Sequence, residues 1–219
     1  MNTDPFEEIV IADACSAAFD QFFAIYEEAL PAGERKPREA IVALSKRSDS
    51  AILGLSCDGQ VVAFAIVFAS NTAPVGLLEY MATSKALRNA GLGKRLFAMA
   101  LARMEGRVML VEVESEREKT ADTPLRLRRK NFYCRLGCQQ VEKLDYIMPM
   151  VSAEKPPVLD LLFHTGGQAI TVTDTLLRTW LETVYTEVYG RRINDSNIAL
   201  MLQRRAEEMR QSGEAKGKG

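Results

Sequence analysis

Only one histidine, His164, and four cysteines, Cys15, Cys57, Cys134 and Cys138, occur among the 219 residues. A lone imidazole with no second cysteine pair excludes the usual zinc-ligand spacings. His164 has no visible triad partner either. Cys134 and Cys138 stand one helical turn apart, and the expectation is two packed, reduced thiols that behave as small hydrophobes. A disulfide framework is not expected in a chain able to bury a full core. Charge of one sign is also lacking. A formal net charge of -1 argues against a nucleic-acid partner, which calls for a basic excess. No apolar run reaches the ~18 residues of a membrane span. The acidic opening, "MNTDPFEEIV", has no basic-then-apolar pattern, so the cytoplasm is expected and a membrane is not.

The composition is that of a globular chain, 47% hydrophobic and 26% charged. Phe6, Ile9, Val10 and Ile11 suit a short strand. Ala18, Phe19, Phe22, Phe23, Tyr26 and Leu30 recur at helical spacing until Pro31. A charged turn, "PAGERKP", leads to a second helix with Ile41, Val42 and Leu44. "SAILGLSC" and "QVVAFAIVFAS" flank Asp58-Gly59, a strong hairpin signal because both residues tolerate positive φ. "VGLLEYMAT" is a third strand. Leu92, Leu96, Phe97, Ala100 and Met104 share a helix face, "RVMLVEVES" is a strand, and "PLRLRRKNFYCRLG" is a helix. "CQQVEKLDYIMP" and "VLDLLFH" read as the last strands. The predicted order is strand, two helices, three strands, helix, strand, helix, two strands: a mixed α/β domain over residues 1–165. Residues 166–210 read as a C-terminal helical appendage with an apolar stripe through Leu176, Leu177, Trp180, Leu181, Val184, Tyr185, Val188 and Tyr189. Residues 211–219 read as a disordered tail.

The stretch "RNAGLGKRL", Arg88 to Leu96, carries two glycines and three cationic residues where a strand passes into a helix. Glycines let the chain turn tightly, so that successive N–H groups converge on an anion. The helix N-terminus adds partial positive charge and unpaired donors. A Walker loop is excluded, because Arg88 stands where its first glycine belongs and Arg95 where its Ser or Thr belongs. A dinucleotide fingerprint is excluded by Leu96 in place of its third glycine. What remains is Arg-x-x-Gly-x-Gly.

This turn resembles the acyl-coenzyme A cradle of the GNAT acyltransferase superfamily, a Gln/Arg-x-x-Gly-x-Gly/Ala turn after the fourth strand. A second signature of that family, Phe-Tyr then Leu-Gly-Phe entering a strand, is matched by "NFYCRLGC" with Cys138 at the aromatic position. Asn89 and Lys85 depart from the Gly and Pro common in the family. The resemblance implies a GNAT-like mixed central sheet with flanking helices. It also implies acetyl or other acyl transfer from acyl-CoA, acetyl-CoA foremost, to an amine. The pantetheine arm would lie along Met81, Ala82 and Thr83, and the diphosphate on Arg88, Asn89, Ala90, Gly91, Leu92, Gly93 and Lys94.

By the same resemblance Tyr133 is the general acid, with Phe132 filling the core position beside it. A phenol keeps its proton at neutral pH and can pass it to a developing thiolate. Glu79 interrupts an apolar strand, where a partly desolvated carboxylate suits a base; a salt bridge is its structural alternative. Glu112 and Glu114 share one strand face and are rivals, either as base or as a seat for a cationic acceptor. "RLRRK", Arg126 to Lys130, reads as a charged helix face or as a contact to the coenzyme's ribose phosphate. Cys134 has nothing to activate it, which favours direct attack in a ternary complex. The acceptor is a small-molecule or protein amine. A homodimer through the C-terminal helices, and a non-catalytic acyl-CoA-sensing or partner-docking module, remain further readings.

Overall fold

A computed structural model describes residues 4–88, 90–150 and 157–216. The chain divides into two compact units, Met1–Met109 with Met150–Lys155, and Leu110–Pro149 with Pro156–Gly219. The fold is mixed α/β with seven strands and flanking helices, and the predicted element order up to His164 is the observed one.

In the first unit β1 (Phe6–Val10), β2 (Ser50–Cys57), β3 (Gln60–Ala69) and β4 (Val75–Thr83) pair antiparallel in that order. The β2–β3 turn is the one the sequence predicted, with Asp58 and Gly59 at φ 49 and 74. Helix α1 (Ala17–Ala29) is capped by the Ser16 side chain, which accepts from the Phe19 N–H. It buries Phe19, Phe22, Phe23, Ile25 and Tyr26. With α2 (Arg38–Ser45), α1 packs over Phe64 and Ile66 of β3. Helix α3 (Leu92–Met104) packs on β2, β3 and β4. A Cβ at Gly76 of β4 would lie 2.6 Å from the Met104 sulfur, so glycine there permits the close approach of α3.

The second unit holds β5 (Val108–Glu114) from Leu110 onward, α4 (Thr123–Arg135), β6 (Gln139–Gln140), β7 (Leu159–His164), α5 (Asp174–Glu187) and α6 (Ser196–Lys216). The strand expected over "CQQVEKLDYIMP" shrinks to the two residues of β6, paired with Leu162 and Phe163, plus an isolated bridge from Tyr146 to Leu159. Lys143 turns at φ 58, in the left-handed region, and interrupts the extended segment.

The helices after residue 165 belong to the same compact unit as β7, and α6 runs through Lys216. The apolar stripe of α5 is buried within this unit: Leu177, Trp180, Leu181, Val184 and Tyr185 are all inaccessible, and Trp180 lies 5.7 Å from the Phe163 ring. Burial inside the unit leaves little of that stripe for a second subunit.

Trp180 is fully buried and its indole N–H meets no hydrogen-bond acceptor among the described residues. A buried donor without a partner offsets part of the stabilisation that its ring provides. Trp180→Phe is therefore expected to cost only about 1–2 kcal/mol, against about 3–5 kcal/mol for Trp180→Ala. Urea unfolding of the two variants checks this; equal losses would show that the orphan donor carries no penalty.

Candidate active site

The register of β4 slips at Glu79. Ile66 of β3 pairs with Tyr80 and Val67 with Leu78, which leaves Glu79 as an extra residue in β4. A bulge of this kind interrupts the alternation of side chains and re-aims them. Two consecutive residues consequently face α1 and α2. The Tyr80 ring meets Tyr26 of α1 edge-on at 5.3 Å, and its hydroxyl donates to the Glu34 carbonyl at 3.0 Å. The Glu79 carboxylate pairs with the Lys36 ammonium, and the two side chains keep only 5% and 14% of their exposure.

Lys36 belongs to the connection between α1 and α2, the "GERKP" turn. Its N–H donates to the Tyr26 hydroxyl at 2.7 Å. Burial holds the Tyr26 phenol above its ordinary pKa, against the lowering effect of that backbone bond. Tyr26, Tyr80 and the Glu79–Lys36 pair thus fasten this connection against β4. The salt bridge considered for Glu79 is present, and its partner is a residue that sequence spacing could not indicate, 43 positions away.

Downstream of the bulge, Met81, Ala82 and Thr83 pair with Ala65, Phe64 and Ala63 and are half-buried. The chain then makes a single 3-10 turn, Lys85–Leu87, and Arg88 follows, exposed and extended. Asn89 lies outside the described residues. Gly91 caps α3 at φ 81, in the left-handed region where a glycine is needed. A Cβ there would meet nothing within 4 Å, so no other group crowds the turn at Gly91.

No side chain among the described residues caps the N-terminus of α3, and its first turn holds no acidic residue. Helices α1 and α5 are both capped, by Ser16 and Thr173. The N–H groups of Ala90 and Lys94 are used within the turn, on the Leu87 and Gly91 carbonyls at 3.3 and 3.1 Å. The donors best placed for an anion are therefore those of Gly91, Leu92 and Gly93, a narrower set than the sequence suggested. Their number and the uncrowded turn fit a diphosphate. Arg95 is drawn elsewhere, onto Glu8 at 2.8 Å and Asp4; Arg88 and Lys94 are the exposed cations of the turn.

In the second unit the core position expected of Phe132 is taken by Tyr133. Tyr133 is buried with 7% exposure and Phe132 is half-buried, the rings meeting at 5.2 Å and 74°. Burial raises the Tyr133 phenol well above its ordinary value, so it carries its proton across the whole physiological range. The two rival carboxylates are engaged. Glu112 accepts from the hydroxyls of Tyr146 and Tyr189, and Glu114 from Arg129 at 2.6 Å with Arg126 beside it at 3.5 Å. The cations of "RLRRK" are spent similarly: Arg126 bonds Glu118 at 2.8 Å, and Lys130 bonds Glu116 and the fully buried Asp160, each at 2.9 Å. Arg126, Arg129 and Lys130 are thus engaged in ion pairs, Arg126 and Lys130 with little exposure.

The mixed sheet with flanking helices, its strand leading through a glycine turn into α3, matches the fold of the acyl-transferring GNAT class. Residues 18–126 match the sequence model of the Acetyltransferase (GNAT) family, and the chain belongs to the GNAT superfamily. A GNAT-family protein from Bacteroides thetaiotaomicron has a similar structure, with a TM-score of 0.67 and 24% identity over 85% of this chain and 99% of that one. The ribosomal-protein-S18-alanine N-acetyltransferase of Escherichia coli is similar at a TM-score of 0.53 and 14% identity, covering 77% of this chain and 98% of that one. Ard1 of Thermoplasma volcanium is similar at 0.54 and 14%, covering 74% and 97%. At these identities the likeness concerns the fold. No match is found among curated proteins.

Among the described residues no cluster of His, Cys, Asp or Glu could hold a metal, and no helix is long and apolar enough to cross a membrane. Cys134 is exposed while Cys138 is buried, and burial pushes the Cys138 thiol up to about 12. At pH 8 it carries almost no thiolate. Iodoacetamide at that pH is expected to label Cys134 and Cys15 in the folded protein and to reach Cys138 only after unfolding, read by peptide mass. Labelling of Cys138 in the native state would contradict its burial.

Proposed function

We propose that this GNAT protein is an N-acetyltransferase that moves an acetyl group from acetyl-CoA to an amine by direct attack within a ternary complex. The observation that carries the reading is the order of features in the chain: the bulged, buried Glu79 in β4 and, beyond the end of that strand at Thr83, the glycine N-terminus of α3 at Gly91. When bound, acetyl-CoA supplies an activated thioester. Gly91, Leu92 and Gly93 would donate to its diphosphate, with Arg88 and Lys94 adding charge. Met81, Ala82 and Thr83 would orient the pantetheine arm and fix the thioester at the Glu79 end of the strand. A main-chain N–H near Met81 would polarise the carbonyl.

Glu79 would accept a proton from the acceptor's ammonium, directly or through a water. That role requires Lys36 to yield its place, since an ion-paired carboxylate is already satisfied. Tyr133 would hold the proton destined for the leaving sulfur. Direct attack on the amine's behalf suits a chain whose exposed Cys134 has no activating neighbour. The acceptor class is a small-molecule or protein amine, and the cytoplasm is the compartment that the composition favours.

A second reading, a non-catalytic acyl-CoA sensor, is favoured by one observation: Glu79 is ion-paired and Tyr133 buried in the same structure. Calorimetry with acetyl-CoA and release of free CoA across an amine panel separate the two. Micromolar binding with turnover is expected; binding without turnover would leave the sensor, and no binding would remove both. Tyr133→Phe is expected to lower kcat by ~100-fold or more while leaving the affinity for acetyl-CoA unchanged, as loss of a general acid does. Unchanged kcat would take Tyr133 out of the mechanism.

A further inference from the structure

Among the described residues, the primary amine set against Glu79 is that of Lys36. Lys36 delivers its ammonium onto the carboxylate from a connection that three contacts hold in place: the Lys36 N–H on Tyr26, the Tyr80 hydroxyl on Glu34, and the ion pair. Its side chain is 86% covered, so the ammonium is held in the protein rather than sampling solvent. In β4 the diphosphate turn lies beyond Thr83, which puts the other end of an extended pantetheine arm toward Met81 and Glu79. Adjacent strand residues are ~3.3 Å apart, so Glu79 stands within one or two side-chain lengths of Met81. All these residues lie in the first compact unit.

We propose that Lys36 is a self-acylation site: its ε-amine is the acceptor for the acyl group in a reaction of the chain with itself. The inference rests on the acyl-CoA reading above and names an acceptor for that same site. Lys36 Nζ begins with three protons. One passes to the Glu79 carboxylate, and the freed lone pair forms the C–N bond to the thioester carbonyl carbon. The C–S bond breaks, the electron pair leaves on sulfur, and a second proton from the nitrogen neutralises the thiolate. The products are N-acylated Lys36, which keeps one proton, and free CoA. Acylation removes the charge of Lys36 and with it the ion pair. Glu79 is then released toward other amines, so the modification also primes the site.

The test incubates the full chain with acetyl-CoA and no added amine, and reads acetylation by peptide mass. Exposed Lys46 and Lys119 in the same sample report uncatalysed chemistry, which favours accessible amines. Lys36, though mostly buried, is expected to acquire acetyl about tenfold faster than either, at a rate independent of protein dilution, because its amine is already oriented. Lys36→Arg, which keeps a cation for Glu79, is expected to abolish the CoA released without amine. If calorimetry shows acetyl-CoA bound and Lys36 is acetylated no faster than Lys46, the inference is overturned while the acyl-CoA reading stands. A rate that falls on dilution likewise overturns it, in favour of transfer between molecules. If acetyl-CoA does not bind, both readings fall.

Discussion

One extra residue in β4 is the constraint from which the candidate site follows. Without the slip at Glu79, side chains on this strand would alternate, and Glu79 and Tyr80 would face opposite sides of the sheet. With it, both turn toward α1 and α2. Tyr80 then holds the carbonyl of Glu34, and Glu79 takes the ammonium of Lys36. The bulge thus sets the carboxylate, fixes the α1–α2 connection over it, and leaves Met81 to Thr83 in regular register toward the glycine turn.

The two ends of the strand are prepared differently. At the bulge a charge is buried, and it is tolerated because an opposite charge is buried with it. At the turn, positive potential is left uncompensated among the described residues: α3 begins without a side-chain cap from them and without a carboxylate in its first turn. Arg95, which could have intensified that potential, is neutralised by Asp4 and Glu8. Main-chain N–H groups and the helix end are thus the positive features of this turn, with exposed Arg88 and Lys94 beside them. The second unit spends its charges differently. Glu112, Glu114, Glu116 and Asp160 are each held by phenols or cations of the same unit, an arrangement that ties α4, β7 and the C-terminal segment together.

The GNAT assignment, shared by the sequence motifs and the family match over residues 18–126, describes what such a scaffold does in general. In the proposed chemistry a substrate amine would have to displace Lys36 from its buried ion pair with Glu79 or find it already modified. The α1–α2 connection is therefore the element through which substrate choice would be exercised, and its tethers are two tyrosines and one lysine rather than an apolar contact.

Local and periodic signals were legible in the residues alone. The Asp58-Gly59 hairpin, the stripe of α1, the glycine cap of α3 and the order of elements up to His164 follow from φ preferences and apolar spacing, which act over a few positions. The C-terminal stripe was legible as apolar, but not its covering, because what buries a face is chosen by the rest of the chain. Likewise the sequence left open which of Phe132 and Tyr133 fills the core, since both rings suit it and only the surrounding packing selects one. The bulge at Glu79 left no mark, because one additional residue in a strand changes no pattern until a partner strand exists to count against. The pairing of Glu79 with Lys36 is of the same kind: charges 43 positions apart meet only when the sheet and the two helices have folded, and attraction between them acts over distances in space, not in sequence.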